Sequence, residues 1–541
     1  MKKINLNTKY IWLLAVLLAF TACESDDDSS NNGNGSEPLP ALVSGEADFS
    51  NYVALGNSLT AGFTDGALFR ASQQNSYPNI LATQFSLAGG GNFTQPLMND
   101  NFGGLALAGT RITSPRLVTT GGAPLPLESI IGPVTVTTDI ALNNPTGPFN
   151  NMGVPGAAVF HLLAPGYGNL ANFPAAANPY FVRMTGSTPD ATVLELAMAQ
   201  APSFFSLWIG NNDVLGYALD GGDSTTSTIT DQATFDAAYG AIIATLTSGG
   251  AKGVIANIPY VTDIPHFTTV PYNPLDPTNP DFGPQIPTLN TIYGALNQIF
   301  EAIDPSRTIV FSETEASPVV IKDESLVDIS AQITGALLAS PTFPAFIGQF
   351  GLPPEAAPQV AGLLGFYYGQ ARQATEDDLF VLPSSSVIGT VNNDSVTFLM
   401  SQGLSQTLAG QFSVEGVSLP LEDKWVLIPS EQVEIKSAID NFNSTISSAA
   451  SGTGLAFVDA NSIFQQMSTT GYADGDFILT ADLVTGGAVS LDGVHATSRG
   501  YALVANLFLK AIDVTYGSNF EASGNLVDIG NYPTNYSPLL Q

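Results

Sequence analysis

FSNYVALGNSLTAGFTDG, residues 49–66, runs from an apolar stretch straight into Gly-Asn-Ser and then into small, glycine-punctuated sequence. YVAL (52–55) is short, apolar and bounded by a polar patch and a glycine, which predicts a strand buried on both faces. A serine at the end of such a strand, with a helix following, has its oxygen exposed. Its backbone N–H lies near a helix N-terminus, where an oxyanion is favoured. Ser58 also suits a plain helix cap, so the rest of the chain has to decide between the two.

Three more apolar runs follow: SFFSLWI (203–209), GVIANI (253–258) and GLAFVDA (454–460). Helical patterns separate or follow them at 231–249, 286–304, 430–451 and 498–513. Strands alternating with helices predict an α/β domain with a parallel sheet, whose ligands bind at the carboxyl ends of the strands. Ser58 sits at such an end. Other stretches are irregular. Residues 85–150 are rich in Gly, Pro, Asn and Thr, and 261–285 contain six prolines. The 541 residues are better accounted for by one α/β core with long insertions than by several independent domains.

The charge balance excludes one class of partner. The chain has 15 Lys+Arg against 47 Asp+Glu, net −32, which repels phosphate backbones and argues against nucleic-acid binding. With 11% charged and 44% hydrophobic residues, it still has globular composition. The first 22 residues carry Lys2 and Lys3, an apolar run from Tyr10 to Phe20, then Thr21-Ala22, the pattern of a secretory signal peptide. Cys23 follows and is the single cysteine, so no intramolecular disulfide can form. Its placement resembles a bacterial lipobox, with Phe20 where Leu is usual, and implies acylation of the thiol. Residues 23–46 read as an acidic flexible tether. Acidic clusters after a lipidated cysteine also resemble surface-export signals of some Gram-negative lineages. The expected address is therefore the outer membrane, lipid-anchored and exposed at the cell surface.

A serine hydroxyl needs a base to act as a nucleophile, and the chain has three histidines. His495 lies in SLDGVHATSRG, three positions after Asp492 and just ahead of a helical pattern. One short loop can present both side chains, with Asp492 fixing the imidazole tautomer and stabilising the imidazolium. Two segments offer oxyanion donors. NNMGVPGAAVFHLL (150–163) places Gly156 at the start of a helical stretch, and WIGNNDVLG (208–216) places Asn212 just past a strand end. Each alone is an ordinary turn or cap.

Together, GNSL, GVPG, GNND and DGVH occur in the order of the four blocks of the SGNH (GDSL) hydrolases, which this sequence resembles over residues 47–260 and 425–515. The resemblance implies a flavodoxin-like three-layer α/β/α fold with a mainly parallel five-stranded sheet and long insertions. It also implies Ser58 as nucleophile, His495 as base and then acid, and Asp492 as the group that orients His495. The Ser58 N–H, the Gly156 N–H and the Asn212 amide would form the oxyanion hole. Asn57 stands where the family motif has Asp, which implies altered hydrogen bonding behind Ser58. A literal GDST at 222–225 has no strand before it and is set aside, and no G-x-S-x-G elbow is present.

The expected organisation is a signal peptide (1–22), a tether (23–46), a hydrolase domain (47–517) with an insertion at about 261–425, and a C-terminal tail (518–541). The expected activity is hydrolysis of carboxylic esters, on a lipid or an acylated glycan, through an acyl-enzyme and without a cofactor. The same residues would serve an acyltransferase, and a non-catalytic surface glycan-binding lipoprotein is the rival from another class. His161 and His266 lack metal-ligand spacing; His161 reads as a helix residue, whereas His266 could line the cleft. ADGDF (473–477) reads as a turn rather than a calcium loop. Residues 329–371 carry one charge, Glu355, and read as packing on their own domain, with an apolar lid or acyl-binding wall as the alternative.

Overall fold

In the computed structural model, which describes residues 38–541, five parallel strands form the central sheet. They are β1 (Tyr52–Gly56), β2 (Asn151–Gly153), β3 (Phe204–Trp208), β4 (Lys252–Ala256) and β5 (Ala456–Val458), in spatial order β5-β4-β3-β1-β2. Read from the other edge this is the 2-1-3-4-5 order of flavodoxin-like sheets, with the topological switch between β1 and β3. The signal segment, Cys23 and the tether as far as position 37 lie outside the described residues.

Seven helices place the site: α1 (Ser58–Ala61), α2 (Tyr77–Leu87), α3 (Asn212–Leu219), α4 (Gln232–Thr247), α5 (Pro429–Thr453), α6 (Ala460–Thr469) and α7 (Ser498–Tyr516). Successive strand residues point to opposite faces, and β1 shows the result. Tyr52 and Ala54 pack in one core with Tyr77 and Phe85 of α2 and Phe508 of α7. Val53 and Leu55 pack in the other, with Phe235 and Ile242 of α4 and Ile439 and Phe442 of α5. Every residue of β1 and of β3 is buried, so the sheet is covered on both sides, as the apolar runs require. Burying each large apolar side chain contributes about 1.5–3 kcal/mol.

The expected helices at 231–249, 286–304, 430–451 and 498–513 are present as α4, Ile286–Ile303, α5 and α7. β2 is the strand that no apolar run announced. Its neighbourhood is held by amides instead: Asn150 Nδ2 donates to the Tyr52 carbonyl, and Asn151 Nδ2 to that of Thr60.

Residues between β4 and α5 build a third core of their own, from Val270 to Ile428. Within it Ile333, Leu337, Leu364 and Tyr368 bury the nearly uncharged 329–371 segment, as the packing reading expected. Residues 473–477 form the turn of a hairpin, Tyr472–Asp474 against Phe477–Leu479.

Both ends of the domain depart from the expected boundaries. Val43 N–H donates to Asn519 Oδ1 and Asn519 Nδ2 to the Ala41 carbonyl, so 41–46 are held rather than tethering. The expected tail is not a tail either. Phe520 is buried against Phe49 and Phe85, and Ile529 is buried in the same core, where their apolar surface leaves water. Residues Ala41–Gln541 form one compact unit. Among the described residues no helix is long and apolar enough to cross a membrane.

Candidate active site

β1 ends at Gly56, where a Cβ would lie 2.3 Å from the Trp208 carbonyl oxygen and 2.2 Å from Thr60 Oγ1. Glycine is the residue this close approach admits, and it lets the chain turn directly into α1. Asn57 caps that helix: its Oδ1 accepts from the Leu59 N–H at 3.0 Å, and its Nδ2 donates to Asn211 Oδ1 at 3.3 Å. An aspartate could not make the second bond. Ser58 is then the first helical residue, 7% exposed, with its oxygen at the carboxyl edge of the sheet.

The loop before α7 brings the partners. His495 Nε2 lies 2.9 Å from Ser58 Oγ, and His495 Nδ1 lies 2.9 Å from Asp492 Oδ2. With Nδ1–H donating to the carboxylate, Nε2 is left to accept the serine proton. Asp492 also accepts from the Gly66, Val494 and His495 N–H groups and from Ser490 Oγ. Burial would push this carboxyl up, but the His495 charge and these hydrogen bonds outweigh it and hold Asp492 well below the usual carboxylate range. It stays an anion, as orienting an imidazolium requires.

The donor positions gather at the same edge. Gly156 has φ +81°, in the left-handed region where glycine is favoured, and a Cβ there would meet only Asn178 Nδ2, at 3.8 Å. The 3-10 turn after it begins at Val159, so Gly156 lies in the preceding turn rather than at a helix start. Asn212 is the first residue of α3, and its Nδ2 donates to the Ala157 carbonyl at 2.9 Å, tying the two donor loops together. An amide NH₂ has two hydrogens, so one remains for a ligand. Neither the Ser58 nor the Gly156 backbone N–H has an acceptor among the described residues.

Asp65 is a neighbour that the sequence did not single out. It is 1% exposed, has φ +54°, and its Oδ1 accepts from Leu491 N–H while its own N–H donates to Ser490 Oγ. These bonds clamp the Asp492 loop onto the loop after α1. Burial, aided by the nearby Asp492 charge, pushes the Asp65 carboxyl up to about 7. Nothing in a lone Asp-Gly announces such a role.

His266 lies beside the site, its N–H donating to the Gly493 carbonyl at 3.0 Å. It lines a cleft of about 1080 Å³ together with Asp492, Leu491 and insertion residues such as Val270 and Phe282. Burial lowers the pKa of its imidazole. His161 sits in the Val159–Leu163 turn, with Nδ1 accepting from Ala158 N–H and its ring stacked on Tyr167. No residue of 329–371 lines either this cleft or the cavity at Ser58. Among the described residues one group could offer a cation its ligands: Glu324, Asp423 and Glu431, with oxygens within 4.8 Å of one another. They share a pocket with Lys322 and Gly222 of the GDST stretch, not with Ser58.

No family model, curated protein or solved structure matches this chain. The geometry therefore carries the chemistry. A hydroxyl, a base and an ionised orienting carboxylate are in series at 2.9 Å, beside uncommitted N–H donors. That arrangement can attack a carbonyl carbon and stabilise the oxyanion that forms.

Proposed function

We propose that this chain is a serine hydrolase of carboxylic esters, of the SGNH type its four sequence blocks resemble. The observation that carries the reading is the Asp492–His495–Ser58 series of hydrogen bonds at the carboxyl edge of the sheet. Ser58 Oγ bonds to the ester carbonyl carbon as its proton passes to His495 Nε2. The tetrahedral oxyanion is held by the Ser58 and Gly156 N–H groups and the Asn212 amide. Its collapse breaks the bond to the alcohol oxygen, which leaves with the proton from His495. Water then attacks the acyl-enzyme, giving its proton to His495. The carboxylic acid departs as Ser58 Oγ regains that proton.

Lipid attachment at Cys23 after removal of residues 1–22 would place this activity at the outer-membrane surface. The deciding experiment incubates the mature chain and Ser58→Ala with p-nitrophenyl esters and a fluorophosphonate probe. Labelling and turnover that vanish in the variant support the reading. A wild type that is neither labelled nor active overturns it and leaves a non-catalytic binding role.

A further inference from the structure

Ser58 and His495 open into a cavity of about 110 Å³ running between the sheet and the helices α6 and α7. Trp208 and Val458 close it from the strand ends, Ile463 and Phe464 from α6, and Val504 and Leu507 from α7. Its polar side chains are confined to the reacting end: Asn57, Ser58, Asn211, Asn212 and His495. The one other polar side-chain group in its lining, the Trp208 indole N–H, is committed to the Asn257 carbonyl at 3.0 Å. A sugar hydroxyl, ammonium or carboxylate placed deeper would find no partner and lose its hydration.

We infer that this cavity receives the acyl chain of the substrate and selects a short hydrocarbon tail, an inference that rests on the serine-hydrolase reading. The acyl group is bonded to Ser58 from the first step until water releases it in the second, so it is the part that benefits from a confined site. The alcohol must leave after the first step. Size sets the length. An apolar cavity of roughly 150 Å³ accommodates benzene, or about 25 Å³ per carbon, so this one holds about four carbons. The substrate class is esters of unbranched acids of about four to six carbons, neither acetyl esters nor long-chain lipids.

The test is kcat/KM on p-nitrophenyl esters from acetate to palmitate, with fluorophosphonate labelling of Ser58 run in parallel. Each buried methylene should raise kcat/KM about fourfold, giving an optimum between butanoate and hexanoate and a fall by decanoate. Val504→Phe, on a half-buried position of α7, fills the cavity. It should lower kcat/KM on hexanoate at least tenfold more than on acetate, a change in the ratio of the two that a loss of folded protein would not produce. Ile463→Ala enlarges the cavity and should move the optimum one or two carbons longer, so the inference stays testable if the first variant misfolds. A labelled wild type with a flat profile, or with its optimum at acetate or at octanoate and beyond, overturns the acyl pocket alone. A wild type that is neither labelled nor active overturns the hydrolase reading, and the pocket assignment with it.

Discussion

Ser58 and His495, 437 positions apart in the chain, meet with 2.9 Å between Oγ and Nε2. Groups that act as one unit are not additive. Ser58→Ala and His495→Ala should each lower kcat by about 10⁴–10⁶, and the double variant should be no slower than the worse single. Asp492→Asn should cost about 10⁴, because the amide favours the wrong imidazole tautomer. Steady-state rates on p-nitrophenyl butanoate, with circular dichroism to show that each variant folds, check this.

Asn212 holds the Ala157 carbonyl with one amide hydrogen and can present the other to an oxyanion. Asn212→Ala should therefore reduce kcat by about 10²–10³ with little change in KM, since the bond strengthens only as charge develops. An equal rise in KM with kcat preserved would show that Asn212 only binds substrate.

Asp65 gives the fold a pH dependence of defined sign. Its carboxyl, pushed up to about 7 by burial, binds its proton more tightly in the folded chain than in the unfolded one. The stability it contributes is full below about pH 4 and is lost as pH rises toward 7. Burial first, and then Glu324, also raises Asp423 and Glu431, which act in the same direction. The chain should be more stable at pH 5 than at pH 8. Asp65→Asn should remove on the order of 2–3 kcal/mol of that difference. Urea unfolding of both proteins at the two pH values measures it.

Within the insertion, Arg372 Nε bonds Asp323 Oδ2 at 2.6 Å, and its Nη1 and Nη2 grip the two oxygens of Asp378 at 2.7 Å each. The three side chains are 12%, 5% and 0% exposed. Arg372→Ala leaves two buried carboxylates without their cation and should cost about 3–5 kcal/mol. Arg372→Lys cannot reproduce the paired grip and should recover only part of the loss. Thermal unfolding reads both. Labelling of Ser58 below the transition should persist, because the insertion core is separate from the two cores that flank the sheet.

Cys23, if acylated, should incorporate an alkynyl fatty acid when the full chain is expressed in a Gram-negative host. Cys23→Ala should abolish incorporation and release the protein from the membrane fraction. Incorporation that survives the substitution would place the lipid elsewhere or make it non-covalent.

Much of this fold was legible because burial on both faces leaves a mark in sequence. YVAL, SFFSLWI, GVIANI and GLAFVDA are continuous apolar runs because both faces of each strand meet a helix layer. Asn151–Gly153 left no such mark, since an edge strand three residues long can be fixed by amide side chains instead of apolar packing. The same holds at the termini. Phe520 and Ile529 are scattered apolar residues without a period, and only the distant residues they meet, such as Phe49 and Phe85 against Phe520, make them core.

The site divides in the same way. The short Asp492-to-His495 spacing and the strand-end position of Ser58 are local features, and local sequence determined them. Sequence also determined the acidic surface, the candidate lipid-bearing cysteine and the alternation that builds a parallel sheet. Only the tertiary structure decided that the nearly uncharged 329–371 segment packs in its own core while the apolar cavity at Ser58 is walled by α6 and α7. Only it showed that Asp65 clamps the loop carrying Asp492. A cavity and a buried carboxylate are properties of surfaces that meet from distant parts of the chain, and no single segment carries the shape of the space left between them.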